Sequence, residues 1–246
     1  MSKISEVKTL YKKADNPAQA EAARIESMGE VERFSNEKLD QLKLVYAGTP
    51  NYKILNIFRE LRTQLMQKQN KKNFICMVSS LSHKGGASYM ASNLASAFAL
   101  DKSKTSLLID ANLYSPSLDS LVIGDAESGI TDYLSERVSD IKDIVYATGI
   151  PRLRVIPLGG YSEGAAEYFS SDRMLNFIEE VKSRYPDRYI FIDAPPIVSS
   201  SEARILAEIV DMVLLVVPHG KVTTDLVDSA VDIVGQEKLA GLVYNN

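Results

Sequence analysis

The stretch Phe74–Asn93, FICMVSSLSHKGGASYMASN, decides the fold of this chain. It begins with an uninterrupted apolar run, Phe74 to Val78, which is typical of a strand buried on both faces of a parallel sheet. A small loop containing two glycines, residues 79–88, comes next, and an Ala/Ser-rich segment then predicts a helix. Loop N–H groups and the helix dipole would point at the same place, so this order of elements predicts an anion cradle.

The end of the loop departs from the standard phosphate-binding sequence. That sequence closes with Gly-Lys-Ser/Thr, in which the lysine reaches the β- and γ-phosphates and the hydroxyl reaches Mg²⁺. Here the residues are Gly86, Ala87 and Ser88, preceded by Lys84 and Gly85. The predicted cradle therefore lacks its principal cation.

Composition indicates an ordinary soluble protein. The chain has 246 residues, 45% of them hydrophobic and 24% charged, with a formal net charge of −4. The net negative charge argues against a surface that binds along nucleic acid. The lone cysteine, Cys76, excludes an internal disulfide and is expected in the core. No apolar run approaches the ~18 residues of a membrane span and no signal-peptide pattern is present, so a cytoplasmic location is expected.

The sequence suggests a short N-terminal region followed by one domain. Residues 1–50 are predicted as a helical arm or linker, and residues 51–246 as a single globular unit. The apolar stripe of the candidate helix Ala18–Phe34 is thin, which leaves two alternatives open, a mobile partner-dependent arm and a solvated helix. From Tyr52 a stronger amphipathic helix begins.

The rest of the chain alternates apolar strands with helical patterns. This alternation predicts an α/β fold, a mainly parallel doubly wound sheet with helices on both faces. Ligands of such sheets bind at the carboxyl ends of the strands. Tyr244, in the last predicted strand, is expected in the core. The predicted strands after the first are Ser106–Ile109, Leu153–Ile156, Tyr189–Ile192, Met212–Val217 and Leu239–Tyr244.

Two carboxylates follow strands at that edge of the sheet. Asp110 ends the second strand and Asp193 precedes Pro195 and Pro196 at the end of another. Beside a phosphate cradle, one such carboxylate typically holds Mg²⁺ and the other orients a nucleophile. Either residue alone could equally cap a turn. Because both carboxylates are expected at the same edge of the sheet as the glycine-rich loop, a functional site is favoured over two separate turn caps.

Several short motifs occur in a characteristic order over roughly residues 52–246. They are Phe58–Thr63, Asn93-Leu94-Ala95, Leu107–Asp110, Pro116-Ser117-Leu118, Arg184–Arg188, Ile192–Pro196 and Gly241–Asn245. This set resembles the cytoplasmic domain of the bacterial tyrosine autokinases of capsule and exopolysaccharide export, especially the type encoded beside exosortase-linked loci. The resemblance implies a P-loop NTPase fold related to that of MinD.

The match to this family is uneven at the catalytic motifs. In the family, Asn-Leu-Ala follows the loop lysine by six residues, and counting back from Asn93 places Ala87 at the lysine position. The family motif Asp-x-Asp-x-Arg begins with Asp110 but continues with Asn112 and Tyr114, so the second carboxylate and the arginine are lost. The third motif, which contains Asp193, is intact.

Other family features are also incomplete. The oligomerisation motif Glu-x-x-Arg-x-x-Arg survives as Asn56, Arg59 and Arg62, without its acidic member. The tyrosine-rich acceptor tail that the resemblance implies has no counterpart up to Asn246. Tyr244 does not replace it, because a strand position predicts a core residue.

The resemblance implies ATP or ADP with Mg²⁺ as ligands, an expectation that the missing lysine weakens. Its nucleotide contacts would be Lys84, Gly85, Gly86, Ser88 and Asn245, the last against adenine, and its metal contacts Ser88, Asp110 and Asp193. The implied partners are an inner-membrane polysaccharide co-polymerase or chain-length determinant, a catalytic kinase paralogue and further copies of the chain, with no nucleic acid. Through such a partner the protein would lie at the inner membrane.

We therefore expect a pseudokinase with a regulatory or scaffolding role. One alternative is a slow but genuine autokinase or ATPase in which Lys84 substitutes for the missing lysine, although Lys84 is most simply a solvated loop residue. A second alternative is a positioning ATPase of the ParA/MinD type. It is disfavoured because Tyr89 would occupy the lysine position in the register that those proteins require.

Overall fold

A computed structural model describes residues 32–70, 72–160, 165–184 and 187–246, together with Ile25. Most of the predicted arm, including nearly all of the candidate helix 18–34, lies outside the described residues. The helices are α1 (Asn36–Gln41), α2 (Tyr52–Lys68), α3 (Ala87–Ala99), α4 (Ile130–Leu134), α5 (Ala165–Tyr168), α6 (Asp172–Ser183), α7 (Ser201–Ile209) and α8 (Thr224–Val234). The strands are β1 (Ile75–Ser80), β2 (Thr105–Asp110), β3 (Tyr146–Ala147), β4 (Leu153–Ile156), β5 (Arg188–Asp193), β6 (Met212–Pro218) and β7 (Leu239–Asn245).

The strands form one seven-stranded sheet in the order β3-β4-β2-β5-β1-β6-β7. All neighbouring strands are parallel except β3 and β4. The predicted mainly parallel α/β sheet is therefore confirmed. The two-residue strand β3 was not predicted, because so short a segment carries no periodicity. Its antiparallel pairing with β4 places it at one edge of the sheet.

Each face of the sheet carries its own apolar core, as expected for a doubly wound fold. Helices α2 and α3 cover one face, where Leu55 and Phe58 of α2 pack with Leu94 and Phe98 of α3. Helices α6, α7 and α8 cover the other. Strand β1 lies between β5 and β6 and all its residues are buried, as its apolar sequence predicted. This central position holds the following loop at the carboxyl edge of the sheet.

Residues 34–49 pack against the domain, although the predicted boundary near residue 50 remains a prediction. Leu44, Val45 and Tyr46 are buried in the same core as α2 and α3. The Asn93 side chain attaches this segment to α3: its Oδ1 accepts a hydrogen bond from Val45 N at 2.7 Å, and its Nδ2 donates to Lys43 O at 3.0 Å. Asn93 thus joins the phosphate-loop helix to the segment that precedes the predicted domain.

Two predictions about single residues have different outcomes. Cys76 is buried, and burial raises the pKa of its thiol to about 12, which confirms it as a core residue. Tyr244 does lie in the last strand, but it is 70% exposed and its assignment to the core is wrong. The reason is that β7 is the edge strand, whose residues are only partly covered. Among the described residues, no helix combines the length and apolar character needed to cross a bilayer.

Candidate functional site

The glycine-rich loop turns from β1 into α3 in a tight conformation. Gly86 precedes α3 with a φ of +96°, in the left-handed region that favours glycine. A Cβ at Gly85 would lie 2.7 Å from Ser80 Cβ, so this position also requires glycine. Helix α3 then begins at Ala87, and the first amide groups of a helix have no partners within it. The loop therefore has the geometry of the predicted anion cradle.

A cavity of about 470 Å³, here called the cradle cavity, lies over this loop. It brings together most of the predicted site residues, which come from the loop and from the segment after β2. Ala87 contributes only a methyl group to the lining of this cavity. Lys84 is the one lysine or arginine among the lining residues. The predicted site residues in the lining are Lys84, Gly85, Gly86, Ala87, Ser88, Asn112 and Tyr114.

Asp193 is fully buried at the end of β5. Neither carboxylate oxygen accepts a well-formed hydrogen bond from a described residue. Burial raises the pKa of Asp193 to about 8, the nearby Asp110 carboxyl adds to the rise, and the Ser88 hydroxyl opposes it only in part. A nearby cation would favour the charged form of Asp193, and alanine at position 87 supplies none.

Asp110 lies beside Asp193, since the two are register partners in the β2–β5 pair. Its Oδ1 accepts a hydrogen bond from Asn112 N at 3.0 Å, and its Oδ2 accepts from Ser117 N at 2.9 Å and Leu118 N at 3.2 Å. Burial raises the pKa of Asp110, while these amides favour its charged form. Asp110 therefore anchors the loop that follows β2.

Tyr114, at the arginine position of the family motif, bridges to α7. Its hydroxyl donates a hydrogen bond to Glu202 Oε1 at 2.9 Å, and Ser200 Oγ donates to Glu202 Oε2 at 2.6 Å. Burial opposes ionisation of Glu202, but these hydrogen bonds outweigh it and hold the pKa of that carboxyl below its usual value. The His83 ring packs edge-on to the Tyr114 ring, with centroids 6.3 Å apart. Tyr114 and His83 thus form one side of the cradle cavity.

Asn245 reaches the loop from the end of β7. Its Nδ2 donates a hydrogen bond to Gly85 O at 3.1 Å, and its amide lies where a side chain at Gly86 would project. It lines a second cavity, of about 650 Å³, and Tyr89 contributes to both cavities. The structure therefore places Asn245 against the loop backbone.

The two arginines predicted for oligomerisation lie on α2, apart from the cradle. Arg62 Nη1 donates to Ala97 O at 2.9 Å, near the C-terminal end of α3. Arg152 Nη2 donates to Ala99 O at 2.8 Å at the same end. Cations there offset the negative end of the helix dipole. Arg59 is exposed on α2, and its role in assembly remains a prediction.

The residues present are a poor fit for Mg²⁺ with a nucleoside triphosphate. Mg²⁺ usually takes one or two carboxylates together with substrate phosphates and water. Asp110 already accepts three amide hydrogen bonds, and burial raises the pKa of Asp193 to about 8. The cradle keeps its glycine-rich turn and Ser88, and it has alanine at the position of the family's lysine.

Three residues of this region carry roles that the sequence did not reveal. Glu202 marks only the start of a helical pattern in the sequence, and its contact with Tyr114 spans 88 positions. In the sequence, Asn93 serves only to align the loop with the family motif. In the structure its side chain makes hydrogen bonds to the backbone of Val45 and Lys43. The sequence predicts for Tyr89 only that it would occupy the lysine position in the ParA/MinD register, whereas the structure places its side chain in the lining of both cavities. These roles depend on contacts that sequence spacing does not encode.

Comparison with known proteins identifies the family. No protein-family model matches the chain. The tyrosine-protein kinase CpsD of Streptococcus agalactiae serotype III (strain NEM316) is 31% identical over 195 residues, covering 76% of this chain and 80% of CpsD. The tyrosine-protein kinase YwqD of Bacillus subtilis (strain 168) is 30% identical over 194 residues, covering 76% and 79%.

Solved structures agree on the fold. The kinase domain of the Escherichia coli tyrosine kinase ETK matches with a TM-score of 0.75 and 21% identity, over 96% of this chain and 86% of that one. The Pyrococcus furiosus cell division ATPase MinD matches with a TM-score of 0.55 and 22% identity, over 70% and 71%. These likenesses concern the fold alone. The identity to CpsD over most of both chains goes further, and the protein belongs to the bacterial tyrosine-protein kinase family.

Proposed function

We propose that this protein is a pseudokinase of exopolysaccharide biosynthesis and export, with a regulatory or scaffolding role. The observation that carries the proposal is the pairing of Ala87 at the lysine position with a buried Asp193, whose pKa burial raises to about 8. A single preorganised electrostatic contact to a reacting group is typically worth about 10²–10³ in rate. The loss of the second carboxylate at Asn112 and of the arginine at Tyr114 lowers the expected rate further.

In this role the protein acts through partners on the cytoplasmic side of the inner membrane. We propose that it associates with a polysaccharide co-polymerase or chain-length determinant, and with a catalytic paralogue that retains the loop lysine. The family membership supports this assignment. A regulatory role predicts that adding the protein changes the rate of tyrosine phosphorylation of the paralogue. An unchanged rate at saturating protein would contradict it.

The direct test is incubation of the purified protein with labelled ATP and Mg²⁺. We expect no tyrosine phosphorylation from the natural sequence, and the Ala87→Lys variant measures how much the lysine alone restores. Asp193→Ala serves as the control for any signal that appears. Robust phosphorylation by the natural sequence that Asp193→Ala abolishes would show that the protein is an active kinase and refute the proposal.

A slow autokinase or ATPase is the second candidate, and the position of Lys84 favours it. Lys84 lines the cradle cavity together with Ala87 and Ser88, in a left-handed conformation with φ of 53°. Its ammonium group could substitute in part for the missing lysine. This candidate predicts that Lys84→Ala abolishes a measurable turnover, whereas the pseudokinase proposal predicts that Lys84→Ala changes nothing. The two variants, at positions 84 and 87, therefore separate the candidates.

A further inference from the structure

Four basic side chains lie around the C-terminal end of α3, at the opposite edge of the sheet from the cradle cavity. Arg62 and Arg152 both donate hydrogen bonds to carbonyl groups in the last turn of that helix. Lys104 comes just before β2, and the positive charge of Arg33 acts on Arg152. Arg33, Arg62, Lys104 and Arg152 are here called the basic cluster.

The cluster carries an excess of positive charge. Asp101 lies among its members. Burial opposes ionisation of Asp101, but hydrogen bonds from Ser103 and the charges of Arg62 and Lys104 outweigh it and hold the pKa of that carboxyl below its usual value. Four cations and this one carboxylate leave a net charge of +3, in a chain whose formal net charge is −4. The negative end of the α3 dipole offsets only about half a charge.

The repulsion within the cluster is visible at Arg152. Burial lowers the pKa of Arg152, the charge of Arg33 lowers it further, and Asp101 opposes the change. Asp101 has little capacity to compensate more, because its Oδ1 already accepts hydrogen bonds from Ser103 N at 2.9 Å and Ser103 Oγ at 2.8 Å. An anion bound among these side chains would relieve the repulsion.

A buried hydroxyl without a partner adjoins the cluster. Tyr189, in β5, is 1% exposed, and its hydroxyl makes no hydrogen bond with the described residues. Burial raises the pKa of Tyr189, the charge of Asp101 adds to the rise and that of Arg62 opposes it, so both charges act on the hydroxyl. The Lys104 ammonium lies 6.0 Å from the centre of the same ring. Buried polar groups normally have a partner, so the partner of this hydroxyl is expected to come from outside the chain.

The donors available here suit a phosphate group. A guanidinium group has five N–H donors, and the bonds to α3 use one from Arg62 and two from Arg152. The remaining donors, the Lys104 ammonium and the Tyr189 hydroxyl can all donate to the oxygens of an anion. Phosphate accepts several charge-assisted hydrogen bonds at once, and arginine provides them in pairs. A carboxylate has only two oxygens and would leave more of these donors unused.

We propose that the basic cluster and the Tyr189 hydroxyl form a binding site for the phosphate group of a phosphorylated ligand. Arg62, Arg152 and Lys104 bind the phosphate oxygens, Tyr189 donates a further hydrogen bond, and Arg33 adds longer-range attraction. The 13 residues of α3 separate this site from the loop at its start by about 20 Å. It is therefore distinct from the cradle, and its occupancy does not depend on whether the protein transfers phosphate.

Thermal unfolding of the full chain measures the binding. We expect inorganic phosphate at about 20 mM to raise the melting temperature by roughly 2–4 °C more than sodium chloride of the same ionic strength. Hydrogen exchange with phosphate should show protection in residues 97–106 and 150–153, with residues 82–88 unchanged. Protection confined to residues 82–88 would place the phosphate in the cradle and overturn the proposal.

Three variants test which side chains are responsible. Tyr189→Phe removes only a hydroxyl that has no partner in the described residues, so it should not lower stability without phosphate, but it should weaken phosphate binding at least about tenfold. Arg152→Gln removes one cation and should weaken binding at least as much. Arg204→Gln is the matched control, because that guanidinium also donates to a backbone carbonyl, of Ile197, but beyond the carboxyl end of β5. It should bind phosphate as the natural chain does, and general effects of phosphate on hydration cancel in these comparisons.

Vesicles distinguish the two sources of such a phosphate, a lipid headgroup and a soluble ester. Sedimentation compares vesicles of phosphatidylcholine alone with vesicles that also contain phosphatidylglycerol. Binding only to the second kind, weakened by Tyr189→Phe, would assign the phosphate to a lipid. A response to inorganic phosphate without vesicle binding would assign it to a soluble ligand. The proposal is overturned if phosphate acts no differently from chloride and no vesicles bind, or if Tyr189→Phe and Arg152→Gln respond as the natural chain does.

Discussion

The buried carboxyl of Asp193 should make stability depend on pH in a direction opposite to that of most carboxylates. Its pKa is about 8 in the folded protein and close to 3.8 in the unfolded chain. Between these values the folded state holds a proton that the unfolded state has released. The contribution of Asp193 to stability is therefore greatest below about pH 4, falls as the pH rises, and levels off above about pH 8.

The size of the effect follows from the same shift. Each pH unit between the two values costs about 1.4 kcal/mol of unfolding free energy. Asp193→Asn mimics the protonated side chain and has no such dependence. Urea unfolding of both proteins at pH 5.5 and 7.5 should therefore show the variant gaining roughly 2–3 kcal/mol relative to the natural chain over that interval.

Asp140 provides a matched control at another carboxyl. The side chain of Lys142 lowers the pKa of Asp140, so both its folded and unfolded values lie below the pH range of the experiment. Asp140→Asn should differ from the natural chain by an amount that stays constant between pH 5.5 and 7.5. If the Asp193→Asn difference is also constant with pH, Asp193 is ionised throughout and the argument about its environment is wrong.

Three further predictions concern the surroundings of the loop. Ala87→Lys should lower the pKa of Asp193, so adding Asp193→Asn to that variant should produce a stability difference that varies less with pH in the same urea unfolding. Asn93→Ala should cost roughly 1–3 kcal/mol of unfolding free energy, because it leaves the buried Val45 N–H without its partner, and limited proteolysis should then cut near residues 43–45. Arg152→Ala should cost about 1 kcal/mol in low salt and less in high salt, since its guanidinium offsets the C-terminal end of α3.

The sheet was predictable because its strands are buried on both faces. Apolar runs such as Met212–Val217 leave little choice other than a central strand, and the structure places β6 there. The edges were less predictable. Strand β3 has two residues, and β7 reads like a core strand although Tyr244 is exposed. Sequence hydrophobicity reports what a segment could bury, whereas strand order decides what it does bury.

The site was predictable as a location and less so as a set of interactions. The carboxyl ends of parallel strands fix where the loop, Asp110 and Asp193 meet. The partners of each side chain depend on loop conformation. Asp110 accepts hydrogen bonds from three backbone amides, and the Tyr114 hydroxyl donates a hydrogen bond to Glu202. Neither set of contacts follows from motif spacing. The type of a residue indicates which hydrogen bonds its side chain can make. Only the fold shows which partners already make them.

The departures from the family motifs make physical sense as a group. In the family pattern the cradle receives two cations, from lysine and arginine, and two carboxylates besides Asp193. This chain has neutral residues at three of these positions: Ala87 replaces the lysine, Asn112 replaces a carboxylate and Tyr114 replaces the arginine. Burial raises the pKa of Asp193 to about 8, and none of the three neutral residues supplies a cation that would oppose the rise. Neutralising one group thus removes the electrostatic reason to keep the next, and the three neutral side chains together disfavour a triphosphate in the cradle.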